Sequence, residues 1–366
     1  MKICLIGNGL TNLVLAKILT SKKISVYLFS ESKKEPYFKS RTIGISKNNY
    51  DYFINNIIDL KKISWPINSI EIYKESDIKN KIFNFNNQKQ LFYIIKYENF
   101  VKLIKHNINK NKFLKKIKTN RIILNDLNKK YNFDLIINSD SNNEISKKFL
   151  YKKIIKNYKS KAYTCILKHK KIKNNNAMQV FTDFGPLAFL PISNFETSIV
   201  YSLLENKNYL SETKIKNLII KYNKKYKIKE FSKFEKFNLK YLASRKYFYK
   251  NILSFGDNIH KVHPLAGQGF NMTIRDIKII SELIQSRLDL GLPLDNQVLQ
   301  NFESITKHKN YIFSSGIDLI YEFFKFENKY GNKYINRMLN FLSKNKYFNK
   351  YALKLADNGM SFKTTE

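Results

Sequence analysis

Apolar residues along this chain follow two periods. Residues 2–6 read as a short buried strand, apolar from Ile3 to Ile6, the pattern of a strand covered on both faces. Gly7-Asn8-Gly9-Leu10-Thr11-Asn12 follows; Leu13, Ala16, Ile18 and Leu19 then recur near helical spacing before a second strand-like run at 24–29. This predicts a β-α-β opening. The pattern is mixed over 49–95, helical over 98–108, and strand-like over 133–137, where it ends in the polar run 138–143. In the middle of the chain, residues 162–169 alternate. Runs at 177–181, 187–191 and 197–202 are separated by Gly185-Pro186 and Ser193-Asn194, which predicts a β-meander. Helical period returns at 212–226, and 252–255 reads as one more buried strand. From Asn271 onward nearly everything reads as helix, with Ile274, Ile277, Ile280, Leu283 and Ile284 on one face and Ile335, Met338, Leu339 and Leu342 on another. The lysine- and asparagine-rich stretches 110–118 and 170–176 read as surface loops, and no internal repeat is visible.

With 366 residues, 43% of them hydrophobic, the chain can bury the core of two domains or of one domain with an insertion. The net charge of +37 would attract polyanions. Its lysines are spread through every segment beside asparagine and isoleucine, which is a drift of composition rather than a patch. Without a nucleic-acid module nothing points to nucleic acid, whereas attraction to anionic lipid stays open. Cys4 and Cys165 lie in apolar runs with no metal or redox spacing, as core thiols in a reducing compartment would. No signal peptide is expected, because glycines interrupt the N-terminal run at once and no small-residue cleavage site follows; no run reaches the roughly 18 residues that span a bilayer. The expected location is cytoplasmic, with any membrane contact peripheral, on the inner membrane.

Two glycine sites carry the chemistry. A Gly-x-Gly between a strand and a helix turns the backbone tightly and lets a pyrophosphate reach amides at the positive end of the helix. Gly7, Gly9 and Leu10 meet that pattern; Asn12 stands where a third glycine permits close packing, and Ser30 followed by Glu31 stands where an acid holds an adenosine ribose. An ordinary glycine turn is the other reading. The second site begins at Gly256-Asp257, where a carboxylate can accept bonds from ligand hydroxyls. It continues through Pro264-Leu265-Ala266-Gly267-Gln268-Gly269 to a helix starting near Phe270-Asn271, whose amides favour negative charge. A dinucleotide fold touching both ends of a bent molecule suggests FAD.

At these residues the sequence resembles the FAD-dependent ubiquinone-biosynthesis hydroxylases, a branch of the single-component aromatic hydroxylases similar to p-hydroxybenzoate hydroxylase. The family pattern is met by Gly256, Asp257, His260, His263, Pro264, Leu265, Ala266, Gly267, Gln268, Gly269 and Asn271, with Asn258 and Ile259 in place of two alanines. The hairpin Gly185-Pro186-Leu187-Ala188-Phe189-Leu190-Pro191 resembles the same branch. Arg41 falls where the family has an arginine beside the flavin and its pyrophosphate, and Glu98-Asn99 where a polar residue touches the ribityl chain. The family's internal Asp-Gly motif is met only by Asp140-Ser141.

The resemblance implies an α/β fold: a Rossmann-like FAD-binding domain (1–70, 96–150 and 245–310), an inserted antiparallel β-sheet substrate domain (71–95 and 151–244) and C-terminal helices (311–366). It also implies a monooxygenase that hydroxylates a prenylated phenol with NAD(P)H and O2 through a flavin C4a-hydroperoxide, with Pro264 on the oxygen side of the ring. The cofactor carries the hard chemistry, so no catalytic side chain is nominated. The expected cofactor contacts are Gly7, Gly9, Leu10, Glu31, Arg41, Asn99, Gly256, Asp257, Pro264, Gly267, Gln268, Gly269, Phe270 and Asn271. Metal is not expected; His260 and His263 read as local structural or flavin-adjacent groups, with acid–base work as the other reading. Phe181, Phe184 and Phe189 are core or pocket wall. Helices over 311–342, where Leu319, Ile320, Phe323 and Phe324 are expected to cluster, pack on the flavin domain or lie on an anionic membrane beside a quinone-biosynthesis complex. The alternatives are a weak or inactive flavoprotein scaffold and a hydroxylase of a soluble aromatic.

Overall fold

A computed structural model describes residues 1–32, 39–86, 90–204, 210–264 and 267–330, together with 345, 354, 355 and 357. The chain begins β1 (Lys2–Ile6), α1 (Leu10–Ser21), β2 (Ser25–Glu31), β3 (Thr42–Ser46), α2 (Lys47–Asn56), β4 (Ser64–Ile67), β5 (Ser69–Lys74), β6 (Phe83–Asn86), β7 (Phe92–Lys96) and α3 (Tyr97–Ile108). It continues β8 (Leu114–Thr119), α4 (Leu124–Tyr131), β9 (Leu135–Asn138), α5 (Glu144–Phe149), β10 (Lys153–His169), β11 (Asn176–Thr182), β12 (Gly185–Pro191), β13 (Glu196–Leu204) and α6 (Glu212–Tyr222). The rest is β14 (Ile228–Phe231), β15 (Glu235–Ser244), β16 (Phe248–Tyr249), β17 (Ile252–Ser254), a 3-10 turn (Gly256–Asn258), β18 (His260–Lys261), α7 (Gln268–Asp289) and α8 (Asn296–Tyr330).

The first sheet has the order β16-β17-β9-β1-β2-β8, parallel except for the edge strand β16. Its central strands β17, β9 and β1 are buried on both faces, hence their unbroken apolar runs. Ile3 and Leu5 of β1 face the core shared with α1, α3 and α7, while Cys4 and Ile6 face the core shared with α4 and α5. Because β1 has β2 on one side and β9 on the other, the carboxyl ends of β1 and β9 flank the crevice where doubly wound sheets take ligands.

The second sheet has the order β18-β15-β10-β13-β12-β11-β5-β6, with β14 also on β10; β11 and β5 are parallel and the other pairs antiparallel. Ile215, Ile219 and Tyr222 of α6 cover one face, and Phe313, Ile317, Tyr321 and Phe324 of α8 cover the other. A small sheet, β3-β7-β4, joins the two halves. This is the expected α/β fold with an antiparallel insertion and C-terminal helix.

Four details differ from the pattern reading. The stretch 110–118 is not all loop: 114–119 is β8, paired parallel to β2, and its outward lysines masked a strand in which only Leu114, Ile117 and Thr119 are partly covered. The helix at 212 stops at Tyr222, where Asn223 takes an extended conformation. α7 starts at Gln268 rather than near Asn271, because Gly267 in the left-handed region (φ 66°) begins it. Of the four α8 residues expected to cluster, Phe324 and its neighbour Phe323 join the core, whereas Leu319 and Ile320 are exposed. Ile335, Met338, Leu339 and Leu342 lie outside the described residues.

Candidate flavin site

The two glycine sites, some 250 residues apart in sequence, meet in space. Gly256 adopts φ 59°, and a Cβ on it would come within 3.0 Å of the Thr11 side chain in the first turn of α1. Gly7 (φ 106°) lies against the loop after β9, where a Cβ would sit 2.9 Å from Ser139 Oγ and 3.3 Å from the Asp140 amide nitrogen. Gly9, in contrast, faces open space, with nothing within 4 Å of an added Cβ, and before Gly269 only Val262 approaches, at 3.7 Å.

Helix N-termini divide into two kinds. α3, α4, α5 and α6 each carry an acidic residue in the first turn, which occupies the positive end of the helix. α1 and α7 open on Gly9 and Gly267, with no side-chain cap and no acid. Their first amides are therefore available to an external anion. α2 also lacks an acid in its first turn, but Asp357 covers it: the Asn48 amide donates to Asp357 Oδ1 at 3.0 Å, and Ser46 Oγ donates to the Asp357 carbonyl at 3.1 Å.

The ring end is set by backbone packed on backbone. A Cβ on Gly267 would lie 3.3 Å from the Gly44 nitrogen. Asn271 ties this seam: its Nδ2 donates to the Gly44 carbonyl at 3.0 Å and the Gly267 carbonyl at 3.3 Å, while its Oδ1 accepts from the Ser46 amide at 2.9 Å and Asn49 Nδ2 at 3.0 Å. Its side chain is thus occupied by protein, and its amide is what remains for a ligand. Phe270 turns into the core, edge-on to Phe100 of α3 at 6.1 Å. Gln268 has a buried Oε1 without a partner. Pro264 is half-buried; Leu265 and Ala266 lie outside the described residues.

The nucleotide end is built from asparagines. Asn12 is fully buried and donates to the carbonyls of Ile6 and Gly7, at 2.8 and 2.9 Å, so it clamps the glycine turn to the end of β1. Asn138 and Asn143 bond each other, Asn138 and Asn258 both donate to Ser146 Oγ, and Asn258 Nδ2 reaches the Asn138 carbonyl at 3.1 Å. The Asp140-Ser141 loop sits inside this network, with Ser146 Oγ donating to the Asp140 carbonyl at 2.6 Å. Ser141 has no positive φ, so the glycine of an Asp-Gly motif is not needed here for backbone reasons. Sequence reasoning missed this network, since asparagine is abundant throughout the chain and its role shows only in the fold.

The remaining candidates differ in their settings. Leu10 is buried in the core of the first sheet. Glu31 ends β2, with Oε1 3.4 Å from the Ile122 amide. Asn99 is exposed on the first turn of α3. Arg41 lies over the Tyr97 ring at 4.6 Å, between two anchors to the second sheet: the Ser40 amide donates to Glu235 Oε2 at 2.8 Å and Thr42 Oγ1 to Ser198 Oγ at 3.0 Å. Asp257 is exposed, 3.7 Å from Lys261 Nζ. His260 and His263 part company. His260 Nε2 meets Asp276 Oδ2 at 2.7 Å, and Asp276 Oδ1 accepts from Asn310 Nδ2 at 2.9 Å, whereas burial pulls His263 down to about 3 and its ring nitrogens, like His260 Nδ1, have no partner among the described residues.

Residues 146–355 match the family model described as squalene epoxidase. Among curated relatives, the mitochondrial ubiquinone biosynthesis monooxygenase COQ6 of Dictyostelium discoideum is 27% identical over 242 residues, 52% of this chain and 49% of that protein. The 3-demethoxyubiquinol 3-hydroxylase of Escherichia coli is 27% identical over 177 residues, 44% of this chain and 43% of that one. The chain thus spans about half the length of the curated relatives it matches. Among solved structures, p-nitrophenol 4-monooxygenase PnpA from Pseudomonas putida superposes with a TM-score of 0.77 at 11% identity, covering 98% of both chains. The FAD-dependent monooxygenase pqsL of Pseudomonas aeruginosa gives 0.71 at 14%, covering 89% of this chain and 96% of that one, and these likenesses carry the fold. Because the family model takes in more than half of the chain, the protein belongs to the squalene epoxidase family, among whose FAD-dependent monooxygenases the ubiquinone hydroxylases are its relatives.

Proposed function

We propose that the protein is an FAD-dependent aromatic-ring monooxygenase that hydroxylates a prenylated phenol in ubiquinone biosynthesis, with NAD(P)H and O2 as co-substrates. The observation that carries this reading is the seam in which Gly267 abuts Gly44 and Asn271 pins the uncapped start of α7. The residues fit the cofactor: Gly9 and the first amides of α1 suit the pyrophosphate, Glu31 the ribose, Arg41, Asn99 and Asp257 the linking chain, and the amides of 268–271 the ring. Bound there, FAD would supply the oxygen chemistry that side chains lack.

The chain's own part is electrostatic. The start of α7 stabilises negative charge at the ring, with the amides already held in place by Asn271. The aromatic wall of α8 and the second sheet keeps water from the reacting face. We assign residues 1–70, 96–150 and 245–310 to the flavin part, and 71–95 with 151–244 to the substrate part. Peripheral contact with an anionic membrane is supported by α8, where Ile305, Ile312, Leu319 and Phe326 are exposed at seven-residue intervals beside Lys309 and Lys325. Among the described residues no helix is long and apolar enough to cross a membrane. The test is purification with added FAD, followed by NAD(P)H oxidation and by profiling of phenolic precursors in a deletion strain. A yellow protein and an accumulating prenylated phenol are expected; a protein that stays colourless and oxidises no NAD(P)H overturns the reading.

A further inference from the structure

Ser46 both ends β3, the strand that carries Gly44, and opens α2. A serine in that place ordinarily caps its own helix, as Ser211 does for α6 by accepting from the Lys214 amide. Ser46 makes no such bond. Its hydroxyl donates instead to the Asp357 carbonyl at 3.1 Å, and the α2 amide of Asn48 donates to Asp357 Oδ1 at 3.0 Å. The acceptor for the start of this helix thus comes from 309 residues away in the chain. Asp357 also faces α7, where its charge attracts both Arg275 and Lys278, which answer Asp276 and Glu282 as well. Burial pulls Arg275 down to about 10 and lowers Lys278, so a carboxylate beside them offsets part of the cost of covering two cations. Two residues before Asp357, Leu355 packs on the core between the second sheet and α8.

We propose that Asp357 is a positioning residue for the flavin site, capping α2 from the far end of the chain and, through Ser46, holding β3 against the start of α7. The path is short. Ser46 gives its hydroxyl to Asp357 and its amide to Asn271 Oδ1 at 2.9 Å, and Asn271 Nδ2 binds the carbonyls of Gly44 and Gly267. Asp357 is therefore hydrogen-bonded to one side of the Gly44–Gly267 seam, at β3 and α2, and attracted by charge to the other, at α7. A carboxylate at the positive end of α2 is favoured in its own right, and here it also fixes where that helix begins relative to α7. This role rests on the ring site proposed above and deepens it by adding a residue that acts on the cofactor only through others.

The test is the FAD affinity of the full chain by equilibrium titration, with stability followed in parallel. Asp357→Ala is expected to weaken FAD binding on the order of tenfold, the equivalent of one hydrogen bond to a charged group. Asp357→Asn, which keeps an acceptor for the Asn48 amide but not the charge, is expected to lose less. The Asn271→Ala background separates positioning from a general loss of stability. With the path already cut there, Asp357→Ala should change FAD affinity by no more than about twofold, whereas two independent losses would multiply. Asp357→Asn and Asn271→Ser serve where an alanine variant does not fold. Wild-type FAD affinity in Asp357→Ala, or a loss of the same size with and without Asn271, overturns the proposal. Failure of the flavoprotein reading on which it stands is seen separately, as a wild-type protein that takes up no FAD.

Discussion

The two ends of the proposed flavin site solve the same problem by different means. At the nucleotide end a missing glycine has been replaced by a side chain that does a new job: Asn12 fills the space and clamps two carbonyls at the end of β1. At the proposed ring end Gly267, in the left-handed region, lies main chain on main chain against Gly44: a Cβ on Gly267 would come within 3.3 Å of the Gly44 nitrogen, whereas one on Gly44 would meet only the Phe92 ring, at 3.4 Å. Where a glycine serves packing, a well-bonded residue can stand in for it; where it serves close backbone approach at positive φ, nothing else can. The family model, too, takes in residues 256–271 and not residues 7–12 or Gly44.

The comparison can be broken most sharply at Gly267. Gly267→Ala places a Cβ 3.3 Å from the Gly44 nitrogen at a φ that side chains resist. Strain and displacement together should cost about 3 kcal/mol, or roughly a hundredfold in FAD affinity by equilibrium titration; retention of wild-type affinity would refute the seam. Next comes Asn271→Ala, which removes four hydrogen bonds and leaves the Ser46 amide unpaired. A stability loss of about 2–4 kcal/mol in chemical denaturation is expected. At the other end, Asn12→Gly restores the glycine pattern yet loses two buried bonds. It should lower stability by about 1–2 kcal/mol and leave FAD affinity no tighter; tighter binding would mean that the nucleotide end is eroded rather than rebuilt.

His263 adds a pH signature confined to the ring end. Its folded value of about 3 lies below the ordinary 6.5, so its contribution is fully present above pH 6.5 and is lost as pH falls toward 3. At pH 5 the loss is about 2 kcal/mol, and His263→Gln should show that much less acid destabilisation than wild type across this window in urea titrations. Glu31→Gln should have the smallest effect, a few-fold in FAD affinity, because the carboxylate is partly solvated and its one amide contact is long, at 3.4 Å.

Much of the fold was legible because burial on both faces leaves unbroken apolar runs, as in β1 and β9, and half-burial leaves alternation, as in β10. β8 was not, since an edge strand carrying lysines alternates too weakly to stand out. Gly7, Gly256 and Gly267 stood out by residue type, and each takes a positive φ against close neighbours that resist a side chain. Asn138, Asn143, Ser146 and Asn258 could not be read in that way, because their role lies in partners up to 120 residues away. Nor could the setting of His260, whose Nε2 is met by an aspartate held in turn by Asn310, or that of His263, whose ring nitrogens have no partner among the described residues.

α8 gives the molecule its mechanics. At 35 residues it is about 50 Å long. Its first turns, through Val298, Leu299 and Phe302, are anchored in the core of the first sheet, and its later turns, through Phe313, Ile317, Tyr321 and Phe324, in that of the second. One continuous rod is therefore bolted to both halves and resists any hinge between them. Traffic of substrate and product past the ring must be carried by loops at the rim, and a glycine pair that loosened the rod near its middle would turn a stiff frame into a jaw.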